Sequence, residues 1–327
     1  MKNKVLLTIS IDTECDKGAN WEIQYPLSFL SVIKGIGEKL HPFFELHEII
    51  PTYLLSPEVI KDENSVKLLK NLKNCELGTH LHSEFIKPHE VSDPKRTQTP
   101  QCAYSKEIEK RKLENLTQLF YENFGYKPTS FRAGRFGISQ NTLQILNDLD
   151  YLVDTSVTPF RIHKFDNGYE TNFWGAPFAP YHPSKRNFNR KGNLNILETP
   201  VSSFIPCLLN IPPWFLRLTR SHQYWYKRLS MCKNDAENIQ IIRPLRIPLN
   251  EVGDYTDKFV KAFPKNVPPI INVMFHNVEV IEGASPYSLT SENIQLIFNF
   301  LSVLINHLKT NYILQPKKLS ELHTIYG

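Results

Sequence analysis

Asp12 and Glu14 stand two residues apart at the end of the apolar run Val5–Ile11 (VLLTISI). On a strand, side chains i and i+2 share a face, so both carboxylates point one way. They repel unless a cation or an arginine lies between them; two solvated loop acids are the plainer alternative. His80 and His82 repeat the spacing after Glu76–Thr79. Two neutral imidazoles on one face, near a carboxylate, suit a divalent cation, and three protein ligands plus water is the catalytic zinc arrangement. Glu84, at i+4 from His80, competes as a ligand, and a pair of surface histidines is the alternative. Arg132 and Arg135 follow Ser130-Phe131. A guanidinium is always charged and suits orienting a carboxylate, so Arg132 could hold Asp12 ionised, whereas a surface salt bridge accounts equally well for Arg135. His276 closes the apolar run Ile270–Phe275 and precedes a Gly/Ser/Pro turn. Asp154 could pair with His276 and raise its basicity. His182 is a candidate for lining a groove, and His41, His47, His222, His307 and His323 read as structural or solvated.

These groups need strands to deliver them. Val5–Ile11, Ile49–Leu55, Cys75–Gly78, Ser130–Phe131, Tyr151–Val153, Asn195–Leu197, Ile270–Phe275 and Tyr312–Leu314 read as strands. Helical patterns lie between them, at Leu27–His47, Val59–Leu72, Ser105–Phe124, Ser139–Leu149, Pro213–Cys232 and Ser291–Leu308. Helix-length crossovers imply parallel strands with helices outside. Chemistry-bearing strand ends are spread along the whole chain, which favours a seven- or eight-stranded (β/α) barrel over an open sheet with one switch point. The region 159–193 reads as a long functional loop.

The 327 residues are 41% hydrophobic and 22% charged, ordinary globular proportions. The net charge of +5 comes without a dense Lys/Arg tract, so nucleic-acid binding is not expected. Five cysteines at wide spacings, without a C-x-x-C pair, suit a reducing compartment. Neither a signal-peptide pattern nor a run long enough for a membrane span is present, and the expected location is cytoplasmic. No phosphate-binding loop of the G-x-x-x-x-G-K or G-x-G-x-x-G kind occurs, against a nucleotide-handling enzyme.

Seven segments in order, TISIDTE (Thr8–Glu14), ELGTHLHSE (Glu76–Glu84), SFRAGRFG (Ser130–Gly137), VDTSVTP (Val153–Pro159), FWGAPFAPYHPS (Phe173–Ser184), ILETPVS (Ile196–Ser202) and MFHNVEVIEGASPY (Met274–Tyr287), give the chain its resemblance to a known family. It resembles the polysaccharide deacetylases with the NodB-homology domain, carbohydrate esterase family four, in the branch with D-x-E and H-x-H motifs. The resemblance implies one catalytic domain over 1–327, a distorted (β/α) barrel, a divalent metal that is usually Zn2+, and removal of an N-acetyl group from a sugar. It implies Asp12 as general base, Glu14 and His80 as metal ligands, Arg132 as the base-orienting arginine and His276 as general acid. The chain departs from the commoner pattern of two adjacent aspartates. It also carries Glu84 where the usual second histidine falls, with His82 as the substitute ligand. Arg135, Trp174 and Tyr181 are the expected substrate contacts, with Trp21 a further ring for stacking on a sugar. Rival readings are an O-acetyl esterase or cyclic-amide hydrolase on the same site, and a metal-free glycan-binding barrel.

Overall fold

The structure, a computed structural model, describes residues 2–89, 99–166, 168–218 and 239–327. Eight strands form its main sheet: Lys4–Thr13 (β1), Pro51–Leu55 (β2), Glu76–Leu81 (β3), Ser130–Ala133 (β4), Val153–Asp154 (β5), Leu197–Glu198 (β6), Ile270–His276 (β7) and Ile313–Pro316 (β8). β1 is buried from Val5 to Thr13, as expected of a central parallel strand covered on both faces. The spatial order is β6-β5-β4-β3-β2-β1-β7, and β8 pairs with the start of β1. Every pairing in this sheet is parallel.

The two ends of this order meet. The chain leaving β6 turns onto β7, where Ser202 N–H donates to the Asn272 carbonyl (3.1 Å). The Asn272 amide donates in turn to the carbonyls of Thr199 and Pro200 (3.1 and 3.2 Å). The result is a distorted (β/α) barrel whose sheet is completed by side-chain and irregular backbone bonds. One large apolar cluster joins the strands to the surrounding helices.

The helices show where periodicity misled. Leu27–His47 divides into a π-helical stretch Ser31–Leu40 and an α-helix His41–Leu46. It buries Val32, Ile36, Leu40 and Phe44 at a spacing of four, whereas Phe29, Ile33 and Phe43 are only partly covered. Val59–Leu72 breaks into Pro57–Lys61 and Glu63–Asn71, because the Asp62 carboxylate accepts from Ser65 N–H and caps a second helix. Ser105 caps Lys106–Phe124 as expected, and Gly125 ends it at φ +82°. The supposed loop 159–193 contains two hairpins, Ile162–Lys164 with Glu170–Asn172 and Pro183–Ser184 with Asn187–Lys191. Of the helix expected over Pro213–Cys232, Pro213–Leu216 is helical and 219–238 lies outside the described residues, with His222. Helices Val252–Lys261 and Leu319–Tyr326 were not anticipated. Among the described residues, no helix is long and apolar enough to cross a membrane.

Candidate active site

Parallel register sets the site. Asp12 is the cross-strand partner of His276, and His80 that of Arg132. A carboxylate, two imidazoles and a guanidinium therefore leave strand ends at one rim. Glu14 follows β1, and its backbone is pinned by Asn277, which accepts from Glu14 N–H (2.8 Å) and donates to its carbonyl (2.9 Å).

Glu14 Oε1 lies 3.2 Å from His80 Nε2 and 3.0 Å from His82 Nε2, and the two Nε2 atoms are 3.1 Å apart. The other ring nitrogens fix the tautomers. His80 Nδ1 is 3.0 Å from the Arg132 carbonyl, which can only accept, so Nδ1 carries the proton. His82 Nδ1 faces the Glu84 carboxylate at 3.3 Å, with the same consequence. Burial alone would raise the Glu84 pKa, but His82 and Arg135 outweigh it and keep the group ionised. The neutral rings then turn bare lone pairs toward each other and toward a carboxylate oxygen. Such a cluster is favourable only around positive charge. An edge of 3.0–3.2 Å fits three donors on one cation with bonds of ~2.0–2.1 Å. The group Glu14, His80 and His82 is fully buried and could hold a metal ion. The same field draws a second proton when no cation competes: burial opposes it, yet Glu14 and Glu84 push the His82 pKa up to about 9. Lys17 pairs with Glu14 Oε2 at 2.9 Å and leaves Oε1 to the imidazoles.

Asp12 is held from the other side. The fully buried Arg132 donates Nη1 to Asp12 Oδ1 (2.6 Å), Nη2 to Ser10 Oγ (2.5 Å) and Nε to the Thr155 carbonyl (2.9 Å). Burial would raise the Asp12 pKa; Arg132, His80 and His276 together bring it below the usual value. Asp12 Oδ2 faces His276 Nε2 at 3.8 Å and His80 Nε2 at 3.9 Å. Both distances exceed a hydrogen bond, so this oxygen is uncommitted. His276 Nδ1 donates to Glu279 Oε1 (2.8 Å), and Arg243 Nη2 grips the same oxygen (2.6 Å). Despite burial, Arg243 and His276 depress the Glu279 pKa to about 2. Trp21 packs edge-on against the His276 ring, centroids 4.9 Å apart.

The turn after β4 brings the third wall. A Cβ on Gly134 would lie 2.5 Å from the Leu81 carbonyl and 3.3 Å from the His82 ring, so only glycine fits. Arg135 and Phe136 follow, both with φ +56°. Left-handed backbone at two non-glycine residues costs roughly 1–3 kcal/mol each, and here it turns Arg135 onto Glu84 (2.6 Å) and Phe136 into the cavity wall. The cavity above these groups measures about 500 Å³, within the usual range for a small-molecule site.

Asp12, Glu14, His80, His82, Arg132 and His276 thus come together, and Arg135 stands at the edge. Four expectations are corrected. Asp154 does not reach His276; it accepts from Ser156 Oγ (2.7 Å) and N–H (3.1 Å) and adjoins Glu198 across the strands. Glu84 is no rival ligand, because it holds the His82 ring and is itself held by Arg135. Trp174 and Tyr181 are each 3% exposed; Trp174 donates to the Leu216 carbonyl and Tyr181 to that of Phe188, so both pack the interior away from the cavity. His182 likewise bonds to backbone carbonyls of Leu194 and Ile196. Sequence reasoning missed Lys17, Arg243 and Glu279, although an acid three residues after His276 was a legible signal for a cap on the following turn.

Structural comparison finds the same architecture elsewhere. A candidate glycoside hydrolase/deacetylase from Parabacteroides distasonis superposes with a TM-score of 0.61 at 12% identity, over 99% of this chain and 71% of its own. A candidate polysaccharide deacetylase from Mycobacterium smegmatis gives 0.55 at 10% identity, over 99% and 90%. The fold is that of the polysaccharide deacetylases. It is also the fold of a GH57 branching enzyme from Thermococcus kodakaraensis, at a TM-score of 0.51 and 10% identity over 98% of this chain and 71% of that one. No protein-family model and no curated protein sequence matches the chain. The deacetylase fold therefore comes with shape alone, and the chemistry has to be argued from the side chains.

Proposed function

We propose that this chain is a metal-dependent hydrolase that removes an N-acetyl group from an amino sugar of a glycan or glycan precursor. One observation carries the reading: three potential ligand atoms, Glu14 Oε1 and the Nε2 atoms of His80 and His82, converge within 3.0–3.2 Å of one another beside an ionised Asp12. The likeness of fold to polysaccharide deacetylases supports it. Glu14, His80 and His82 would hold the cation, and Zn2+ matches one carboxylate and two imidazoles. When bound, a divalent cation polarises an amide carbonyl and brings the pKa of a coordinated water toward ~7.

The remaining steps belong to the protein. Asp12 Oδ2, left free while Arg132 occupies Oδ1, accepts the proton that water loses on attacking the amide carbon. His276, oriented through Nδ1 by Glu279, gives its Nε2 proton to the departing nitrogen, because an amide nitrogen leaves poorly as an anion. The C–N bond breaks, a C–O bond forms, and acetate and a free amine result. Each proton transfer is worth about 10²–10⁴ in rate.

Acetate release from a panel of N-acetylated and O-acetylated sugars, with and without a chelator and alongside metal analysis, tests the reading. Chelator-sensitive release from N-acetyl substrates is expected. Stoichiometric metal with release confined to O-acetyl substrates would transfer the assignment to an esterase, and a metal-free, inert protein would leave only a glycan-binding barrel.

A further inference from the structure

Charges in the cavity balance almost one for one. Asp12 pairs with Arg132, Glu14 with Lys17, Glu84 with Arg135 and Glu279 with Arg243, at 2.6–2.9 Å. Three further cations line the same cavity: Arg161, Lys164 and Arg246. None of the three lies within 4.0 Å of a carboxylate oxygen among the described residues, and Glu170 is the cross-strand neighbour of Lys164. Arg161 precedes and Lys164 ends the strand Ile162–Lys164, and Arg246 comes from the segment before helix Val252–Lys261, so two separate parts of the chain bring like charges together. Burial lowers the Arg161 pKa from the ordinary guanidinium value, and the neighbouring Arg246 and Arg243 add to the same direction. A protein gains nothing by gathering unpaired guanidinium groups around a cation-binding floor unless an anion completes them.

We infer that Arg161, Lys164 and Arg246 form a clamp for a phosphate or pyrophosphate group, and that the amide substrate carries such a group next to the sugar. The inference rests on the deacylase reading for the amide and adds the anion. Guanidinium forks match phosphate oxygens two at a time, and they bind more strongly where a concave wall excludes water. The floor of the cavity takes the amide, and the cationic wall fixes the phosphorylated end. An unphosphorylated polymer would leave the two guanidinium groups unanswered.

The test measures binding, so it does not depend on turnover. Inorganic pyrophosphate is titrated calorimetrically into the wild-type protein as purified, with its metal content recorded, and into Arg246→Gln and Arg161→Gln/Arg246→Gln. Each lost guanidinium is expected to weaken binding roughly 10- to 100-fold, and rising salt should weaken the wild type most. Arg246 is exposed, so its single variant should fold even if the double variant does not. Pyrophosphate held by the metal alone would bind all variants equally, and that result would overturn the clamp. So would glucuronate binding more tightly than pyrophosphate with the same arginine dependence. A soluble nucleoside diphosphate and vesicles doped with phosphatidic acid then separate a nucleotide-linked from a lipid-linked source of the phosphate. Arginine-dependent pyrophosphate binding without amide hydrolysis would sink the deacylase reading and leave the clamp; amide hydrolysis with arginine-independent binding would do the reverse.

Discussion

Two sets of imidazoles face each other across the cavity, and both are anchored the same way. His80, His82 and His276 each bond through Nδ1 to an oxygen acceptor and turn Nε2 toward the cavity. What differs is what Nε2 meets. On one side, His80 and His82 meet each other and Glu14 at 3.0–3.2 Å. On the other, His276 Nε2 faces Asp12 Oδ2 at 3.8 Å. Close convergence of three ligand atoms suits a cation, and separation from a free carboxylate oxygen suits moving a proton. The second-tier partners follow suit: a backbone carbonyl and a carboxylate fix the ring orientation on the ligand side, while Glu279, itself gripped by Arg243, fixes the His276 ring on the other.

The comparison breaks first at His80. His80→Ala removes one vertex of the donor triangle and should abolish both metal binding and turnover. Equilibrium dialysis against zinc alongside acetate release checks this, and a variant that still bound stoichiometric metal would show that Glu14 and His82 recruit another ligand. His276→Ala should behave differently. It should cut turnover by about 10²–10⁴ with metal content unchanged. Loss of metal from His276→Ala would merge the two sides into one site, and full activity would remove His276 from the reaction.

Much of this division was legible in the chain. The i, i+2 spacings of Asp12/Glu14 and His80/His82 are strand-exit patterns, and the apolar runs before them are strands in the structure. Arg132 could be assigned to Asp12 because a buried strand ending in arginine needs a carboxylate. The partner of His276 was not legible in the same way. Asp154 looked suitable because it too ends a strand, but its carboxylate accepts from Ser156 N–H and Oγ, two residues on, instead of reaching His276. The direction in which a strand-end carboxylate turns is not written in local pattern. The aromatic residues failed for a similar reason. Trp174 and Tyr181 sit in a region rich in turn residues, but Trp174 packs against Phe160 and Tyr181 bridges to Glu198 of the main sheet, and both rings are buried. Exposure of a ring depends on what packs over it.

The finest discrimination between the two sides comes from Glu279→Gln. The substitution keeps an acceptor oxygen near His276 Nδ1 but removes the charge that balances both His276 and the buried Arg243. Turnover should fall by roughly 10–100-fold, the scale for losing an oriented supporting carboxylate, with metal binding intact. Stability carries the clearer signature. The pKa of Glu279 is depressed to about 2 in the fold, against ~4.3 for a free glutamate. A depressed carboxylate contributes stability that is fully present above the unfolded value and is lost as pH falls toward the folded one. Urea midpoints of wild type and Glu279→Gln should therefore differ most at pH 6 and converge as the pH falls below about 4.5 toward 2. A gap that stays constant over that window would mean that Glu279 acts through shape alone, and that His276 is held by packing against Trp21 instead of by charge.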